Sequence, residues 1–289
     1  MLKGSIVALI TPFTDDSLDE DNYVQLIDYH LKNGTNGIVP GGTTGESPTL
    51  SHNEHKKIIE IAVRECNSKI PVIAGTGSNS TEEAIELSKF AEKAGSDSLL
   101  IVTPYYNKPS QEGLYQHYKK INDNVGIPII IYNIPSRSVI DMSVETMTKL
   151  YELKNITGVK DATGDLKRVE LQKKSMGNEF IQLTGNDDNA LEFNKLGGVG
   201  AIGVTANIAA KLSSDFQKAC VEDKNKAEEL NKILQPLHAA MFIESNPSPV
   251  KYAASLLNMC KATVRLPLVE VQDTTKKKIS EALKVAKLL

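Results

Sequence analysis

Lys160 closes a short apolar run, Ile156-Thr157-Gly158-Val159-Lys160, and is followed at once by the small polar residues Asp161-Ala162-Thr163-Gly164. The pattern reads as a buried strand that delivers an amine to a site. An ammonium is costly to desolvate unless it is paired or neutral, so packing alone is a poor reason for a lysine there. As a nucleophile, its burial becomes useful. With an ordinary pKa near 10.4, roughly one lysine in a few thousand is neutral at pH 7. That is a deficit of about 4 to 5 kcal/mol, which desolvation offsets by disfavouring the charged form. A neutral amine adds to a ketone and gives a Schiff base. Taken alone, the stretch fits equally well a lysine that caps the strand or bridges to an acid.

Other residues bear on the choice. Tyr132 ends a second apolar run just before Asn133-Ile134-Pro135-Ser136-Arg137. A phenol there moves protons when other hydroxyls hold it, and Thr43 and Tyr106 are the candidates; a core tyrosine with a wet tip is the plainer reading. Arg137 offers a rigid two-pronged donor for a carboxylate, or a surface ion pair. In Gly41-Gly42-Thr43-Thr44-Gly45-Glu46 the glycines let backbone N–H groups line a nest for a carboxylate or phosphate. The lysine of a P-loop is missing from it. His52 and His55 have helical spacing for a metal, but with no third ligand nearby they read as exposed residues of a helix start. The adjacent Asp187 and Asp188 read as loop carboxylates facing water.

Eight short β-branched runs must position these groups: Ser5 to Ile10, Gly37 to Val39, Pro71 to Ala74, Ser98 to Val102, Pro128 to Tyr132, Ile156 to Lys160, Phe180 to Thr184 and Gly200 to Val204. They are continuously apolar, as in strands covered on both faces, and segments of helical period lie between them. Ser51 with Glu54, and Ser80-Thr81-Glu82-Glu83, mark helix starts. Strand and helix alternate, so a parallel α/β sheet is predicted. The repeat count and the reactive residues at the run ends select a (β/α)8 TIM barrel, whose strand ends converge on one face. After about Asn207 only helical patterns remain, including Asp223 to Phe242 and Thr274 to Leu289, with a bend at Pro247-Ser248-Pro249. We therefore expect a barrel over 1–224 and a C-terminal helical domain over 225–289.

The 289 residues carry 33 basic and 36 acidic side chains, a formal net charge of -3. That balance leaves no electrostatic footprint for nucleic acid or an anionic membrane and directs attention to a small-molecule substrate. Cys66, Cys220 and Cys260 lie far apart without metal or redox spacing, so a reducing cytoplasm is the expected home. No apolar stretch nears the ~20 residues of a membrane span.

Six motifs now carry a resemblance that runs from Gly4 through Leu289: GGTTGESPTL at 41–50, IPVIAGTGSNS at 70–80, VTPYYNKPSQEGLYQHY at 102–118, YNIPSRS at 132–138, GVKDATG at 158–164 and NPSPVK at 246–251. The chain resembles the pyruvate-dependent Schiff-base lyases and aldolases, and among them the dihydrodipicolinate synthases of lysine biosynthesis. The resemblance implies a barrel with a helical C-terminal domain, usually assembled as a homotetramer, a dimer of tight dimers. It implies Lys160 as the Schiff-base lysine and Tyr132 as proton donor and acceptor, linked through Thr43 to a Tyr106 supplied by the neighbouring subunit. Thr44, Gly185 and the backbone near Ile202 would hold pyruvate. Arg137 would bind the carboxylate of aspartate semialdehyde, and no metal or organic cofactor is implied.

In lysine-inhibited members the effector lies at the positions matching Ser47, Pro48, His52, His55, Asn79, Glu83 and Tyr105, so feedback by free L-lysine is expected. Pro48, Asn186 and Gly203 depart from the residues usual there, which bears on affinity before activity. The alternatives are a sugar-acid aldolase of N-acetylneuraminate or 2-keto-3-deoxygluconate type, and a non-catalytic regulatory paralogue. Arg137 argues against the first. The presence of Lys160, Tyr132 and Tyr106 argues against the second.

Overall fold

The computed structural model describes residues 2–15 and 17–289. Eight parallel strands form the barrel: β1 (Gly4–Ala8), β2 (Gly37–Val39), β3 (Ile73–Gly75), β4 (Ser98–Val102), β5 (Ile129–Asn133), β6 (Ile156–Asp161), β7 (Ile181–Thr184) and β8 (Gly200–Gly203). Hydrogen bonding runs β2-β1-β8-β7-β6-β5-β4-β3. A parallel bridge from Ile38 to Val72 joins the two ends of that order and closes the ring.

Side chains alternate across each strand. Ile6, Ala8, Val39, Ile73, Leu100, Ile130, Leu183 and Ile202 meet inside the barrel, while their neighbours, such as Val7, Ile38, Leu99 and Ile131, pack outward under the helices.

Four of the strands, β1, β3, β7 and β8, are shorter than their apolar runs, for local reasons. β1 stops at Ala8 because the N–H of Ile10 is taken by the Asn207 side chain. Pro71 has no N–H to give a ladder. Phe180 and Val204 are buried beyond the pairing, Phe180 edge-on to Tyr151. β6 continues one residue further than expected, to Asp161. A two-residue ribbon, Phe13–Thr14 with Ser17–Leu18, had no clear signal in the sequence.

The helices are α1 (Glu20–Lys32), α2 (His52–Cys66), α3 (Thr81–Ala94), α4 (Gln111–Asn122), α5 (Val144–Tyr151), α6 (Lys167–Met176), α7 (Ala190–Lys195), α8 (Ala210–Glu222), α9 (Lys224–Met241), α10 (Ser248–Leu256) and α11 (Asp273–Val285), with one further turn at Pro135–Ser138. At α2 the expected capping box forms: Ser51 accepts from the Glu54 N–H, and the Glu54 carboxylate accepts from the Ser51 N–H. At α3 the expected Ser80 cap does not. Ser78 takes the Ser80 N–H and gives its own hydroxyl to Glu83. Pro247-Ser248-Pro249 starts α10, because proline suits a first helical turn.

Asp223 ends α8 and caps α9. That junction, within a residue of 224/225, is where we propose to divide the chain. The division is topological: Leu230, Leu234, Leu237, Val250, Ile279 and Leu283 share one apolar cluster with Val7, Leu9, Ile58 and Phe216. No helix of the described residues is long and apolar enough to cross a membrane.

Candidate active site

Pairing between β5 and β6 shifts at Ile129/Ile130, so that Ile129 faces Ile156 while Ile130 faces Gly158. One extra residue, Thr157, is accommodated there as a β-bulge. Strict alternation from the outward-facing Ile156 would send Lys160 outward too. The bulge reverses the phase: Val159 packs outward, and Lys160 points inward, directly across from Tyr132. The Lys160 Nζ lies 4.2 Å from the centre of the Tyr132 ring, and the two residues are 5% and 6% exposed. Among the described residues no carboxylate pairs with this ammonium, unlike the ion-paired Lys251. The strand-capping and acid-bridging readings of Lys160 therefore lose their partner.

Space for the lysine comes from the next strand. A Cβ on Gly185 would lie 3.0 Å from Lys160 Cε and 2.8 Å from Ala162 Cβ, so glycine there leaves room for the stem. Asp161, one residue on and therefore on the opposite face, organises the turn that follows. One of its oxygens accepts from the N–H and hydroxyl of Thr163 at 2.9 and 2.6 Å, the other from Arg168 and Gln172 at 3.0 Å each. No residue near Asp161 in sequence signals that role, because Arg168 and Gln172 come from the helix that follows.

The 41–46 turn forms, but not as a fully open nest. The N–H groups of Gly45 and Ser47 go to Gly42 O, and that of Glu46 to Thr43 O. Among the described residues the amides of Thr43 and Thr44 have no backbone acceptor and are what the turn can offer an anion. Asn246, just after α9, fixes both sides of the mouth: its amide donates to Thr44 Oγ1 at 3.0 Å, and its carbonyl accepts from Arg137 Nη2 at 3.3 Å. Arg137 itself is exposed. Asn246 lies about a hundred residues from Arg137 and twice that from Thr44, and only its place in the NPSPVK motif drew attention to it.

Two expectations need correction. Asp187 does not face water. It is 8% exposed, and one oxygen accepts from the N–H groups of Val204 and Thr205 at 2.7 and 2.9 Å, holding the chain just after β8 and Ile202. Its neighbour Asp188 is exposed. The same carboxylate accounts for Gly203, where a Cβ would come within 2.0 Å of Asp187 Oδ1. His55, the second correction, is buried and bonds Gly75 O at 2.7 Å, while His52 bonds Glu83 at 2.8 Å. The two rings turn to different partners instead of converging on a metal. Burial pushes His55 below its ordinary range.

Within a single chain Tyr106 is not packed into the mouth with Thr43. It is 87% exposed on a left-handed backbone, φ 73°. A separate cavity of about 130 Å³ is lined by Ser47, Pro48, His52, His55, Glu83 and Tyr105. Asn79 does not line it; its carbonyl accepts from Asn107 instead. Glu83, held by the Ser78 hydroxyl and then by His52, keeps its carboxyl below the usual range and gives the cavity a negative wall.

A parallel eight-stranded barrel with a buried, unpaired lysine and a tyrosine at its C-terminal mouth defines a class of Schiff-base-forming enzyme. The model of the dihydrodipicolinate synthetase family matches residues 1–286, and the chain belongs to that family. It is 69% identical to a 4-hydroxy-tetrahydrodipicolinate synthase of Pelagibacter ubique, with both chains covered in full. Among solved structures, the chloride-inhibited dihydrodipicolinate synthase of Acinetobacter baumannii, complexed with pyruvate, is 44% identical with a TM-score of 0.98 over 100% of both chains. That of Cyanidioschyzon merolae with lysine bound is 34% identical, with a TM-score of 0.97 over 100% of this chain and 99% of the other.

Proposed function

We propose that this chain condenses pyruvate with L-aspartate 4-semialdehyde to give 4-hydroxy-tetrahydrodipicolinate, the committed step toward diaminopimelate and lysine. The observation that carries the reading is Lys160, buried without a counter-ion and set across from Tyr132 by the β6 bulge. Its neutral amine adds to C2 of pyruvate, and loss of water gives an imine. The protonated imine nitrogen draws electrons as a proton leaves C3, and the enamine attacks the aldehyde carbon, whose oxygen becomes the hydroxyl. The amino group of the adduct then adds to C2, closes the ring and releases Lys160. Tyr132 moves protons between these steps. The imine is itself the electron sink, so the scheme draws on no metal or organic cofactor.

Thr44, Gly185 and the backbone at Ile202 take the pyruvate side, and Arg137 the carboxylate of the second substrate. Thr43 links Tyr132 to a Tyr106 donated by a second copy, which suits the exposure of Tyr106 in the single chain. Assembly as a dimer of tight dimers follows from that reading. The three free cysteines suit a reducing cytoplasm. Free L-lysine fits the Glu83-walled cavity through its amino groups and acts there as an inhibitor.

The test is intact mass and peptide mapping after pyruvate and borohydride. A reduced adduct on Lys160 that is absent from Lys160→Ala, together with turnover only when aspartate semialdehyde is the partner, is the expected result. No adduct in folded protein would overturn the mechanism and favour a binding paralogue.

A further inference from the structure

Outside the site already described, the most completely buried charges belong to Glu46 and Lys251. Both side chains are 0% exposed, with Lys251 Nζ 2.7 Å from Glu46 Oε1. Glu46 is the last residue of the 41–46 turn and holds a left-handed backbone, φ 57°; Lys251 lies in α10. The second Glu46 oxygen accepts from the Arg265 N–H at 2.9 Å. The Arg265 side chain reaches on to Thr49 O at 3.1 Å and makes a fork on Glu54 at 2.9 and 2.6 Å. Phe13 backs both cations, its ring centre 4.1 Å from Lys251 Nζ and 4.2 Å from the guanidinium carbon of Arg265.

Stability is a weak explanation for such a pair. Desolvating two ions costs several kcal/mol each, and an apolar pair of similar volume commonly does as well or better. What an ion pair adds is a defined geometry between the segments that carry it. Here one segment bears Thr43 and Thr44. The other is continuous with Asn246, which already holds Thr44 Oγ1. Burial pushes the Lys251 ammonium below its ordinary range, and the Glu46 carboxylate pulls it back.

We infer that Glu46 and Lys251, with Arg265 behind them, are positioning residues that set the Thr43–Thr44 turn for the pyruvate carboxylate. The inference rests on the reading of that turn as the pyruvate side of the site. The C-terminal helices are thereby part of the catalytic apparatus without touching substrate.

The experiment follows borohydride-trapped adduct by intact mass across a range of pyruvate concentrations, with thermal unfolding beside it, in the parent and in Lys251→Met, Glu46→Gln and the double variant. Half-maximal trapping is expected to need about tenfold more pyruvate in each single variant, with full adduct on Lys160 still reached at saturation. The steady-state KM for pyruvate should follow, while the KM for the aldehyde moves by less than about threefold. The double variant should be no worse than the worse single, since both remove one interaction. Folded variants that melt lower but trap within roughly twofold of the parent would overturn the inference, leaving the pair a purely structural contact. Should Lys251→Met not fold, Lys251→Gln, which removes the same charge opposite Glu46, carries the same test. A shift of about threefold or more supports the inference there, and none overturns it. An absence of adduct in the parent itself would instead refute the underlying function, so the two failures are distinguishable.

Discussion

At the residue scale, Lys160 and Asp161 show how one strand end serves two purposes. Alternation turns the first into the barrel mouth and the second out toward α6, where Asp161 satisfies Thr163, Arg168 and Gln172 together. Asp161 and Arg168 are both buried. Removing one member of such a pair leaves the other charge without compensation, so Asp161→Ala should cost about 3 kcal/mol of stability in urea denaturation. Asp161→Asn, which keeps an acceptor for Thr163, should cost less. Equal losses would show that the acceptor for Thr163 contributes nothing and that the lost charge toward Arg168 accounts for the whole cost.

The element scale is where the C-terminal segment meets the β2 loop and α2. The Arg265 guanidinium, ahead of the Ser51 contacts, holds the Glu54 carboxyl down at about 2, against an ordinary value of 4.5. The sign follows from linkage: the unfolded chain takes up this proton near 4.5 and the folded chain only near 2. The contribution is whole above about pH 4.5 and drains away as the pH falls toward 2. Because water reaches part of the pair, it amounts to about 1–2 kcal/mol. Denaturant midpoints should therefore separate the parent from Arg265→Gln at pH 7 and draw together near pH 3. A gap independent of pH would assign the loss of stability to packing against Phe13 rather than to charge.

For the whole molecule, the mouth and the Glu83-walled cavity both draw on residues 41–55, a segment clamped by Asn246, Lys251 and Arg265. On the proposed function, a ligand in the cavity would act against a loop that is already held, and feedback would have a physical route. Millimolar L-lysine should lower the steady-state rate, and Glu83→Gln should raise the lysine concentration for half inhibition about tenfold by removing the charge that faces the ligand's amino groups. An undiminished rate at millimolar lysine would remove the regulatory role.

Much of this was legible in the sequence because the signals are local. The eight apolar runs, the Ser51–Glu54 capping box, the glycine turn at 41–46 and the lysine and tyrosine at run ends are set by neighbouring residues and by what each backbone allows. The particular substrates came from the motif resemblance, since chemistry at a strand end does not name them. Tertiary structure alone decided the rest. Whether Lys160 faces the barrel or its helices depends on a bulge at Thr157 that exists only through pairing with Ile129 and Ile130. Asp187 reads as a surface acid in sequence because the backbone amides it caps come from the following strand end, some seventeen residues later. Glu46 reads as the end of a turn until Lys251 arrives from 205 residues away. A charge with no local partner looks solvated in sequence, and only the folded chain shows what has replaced the water.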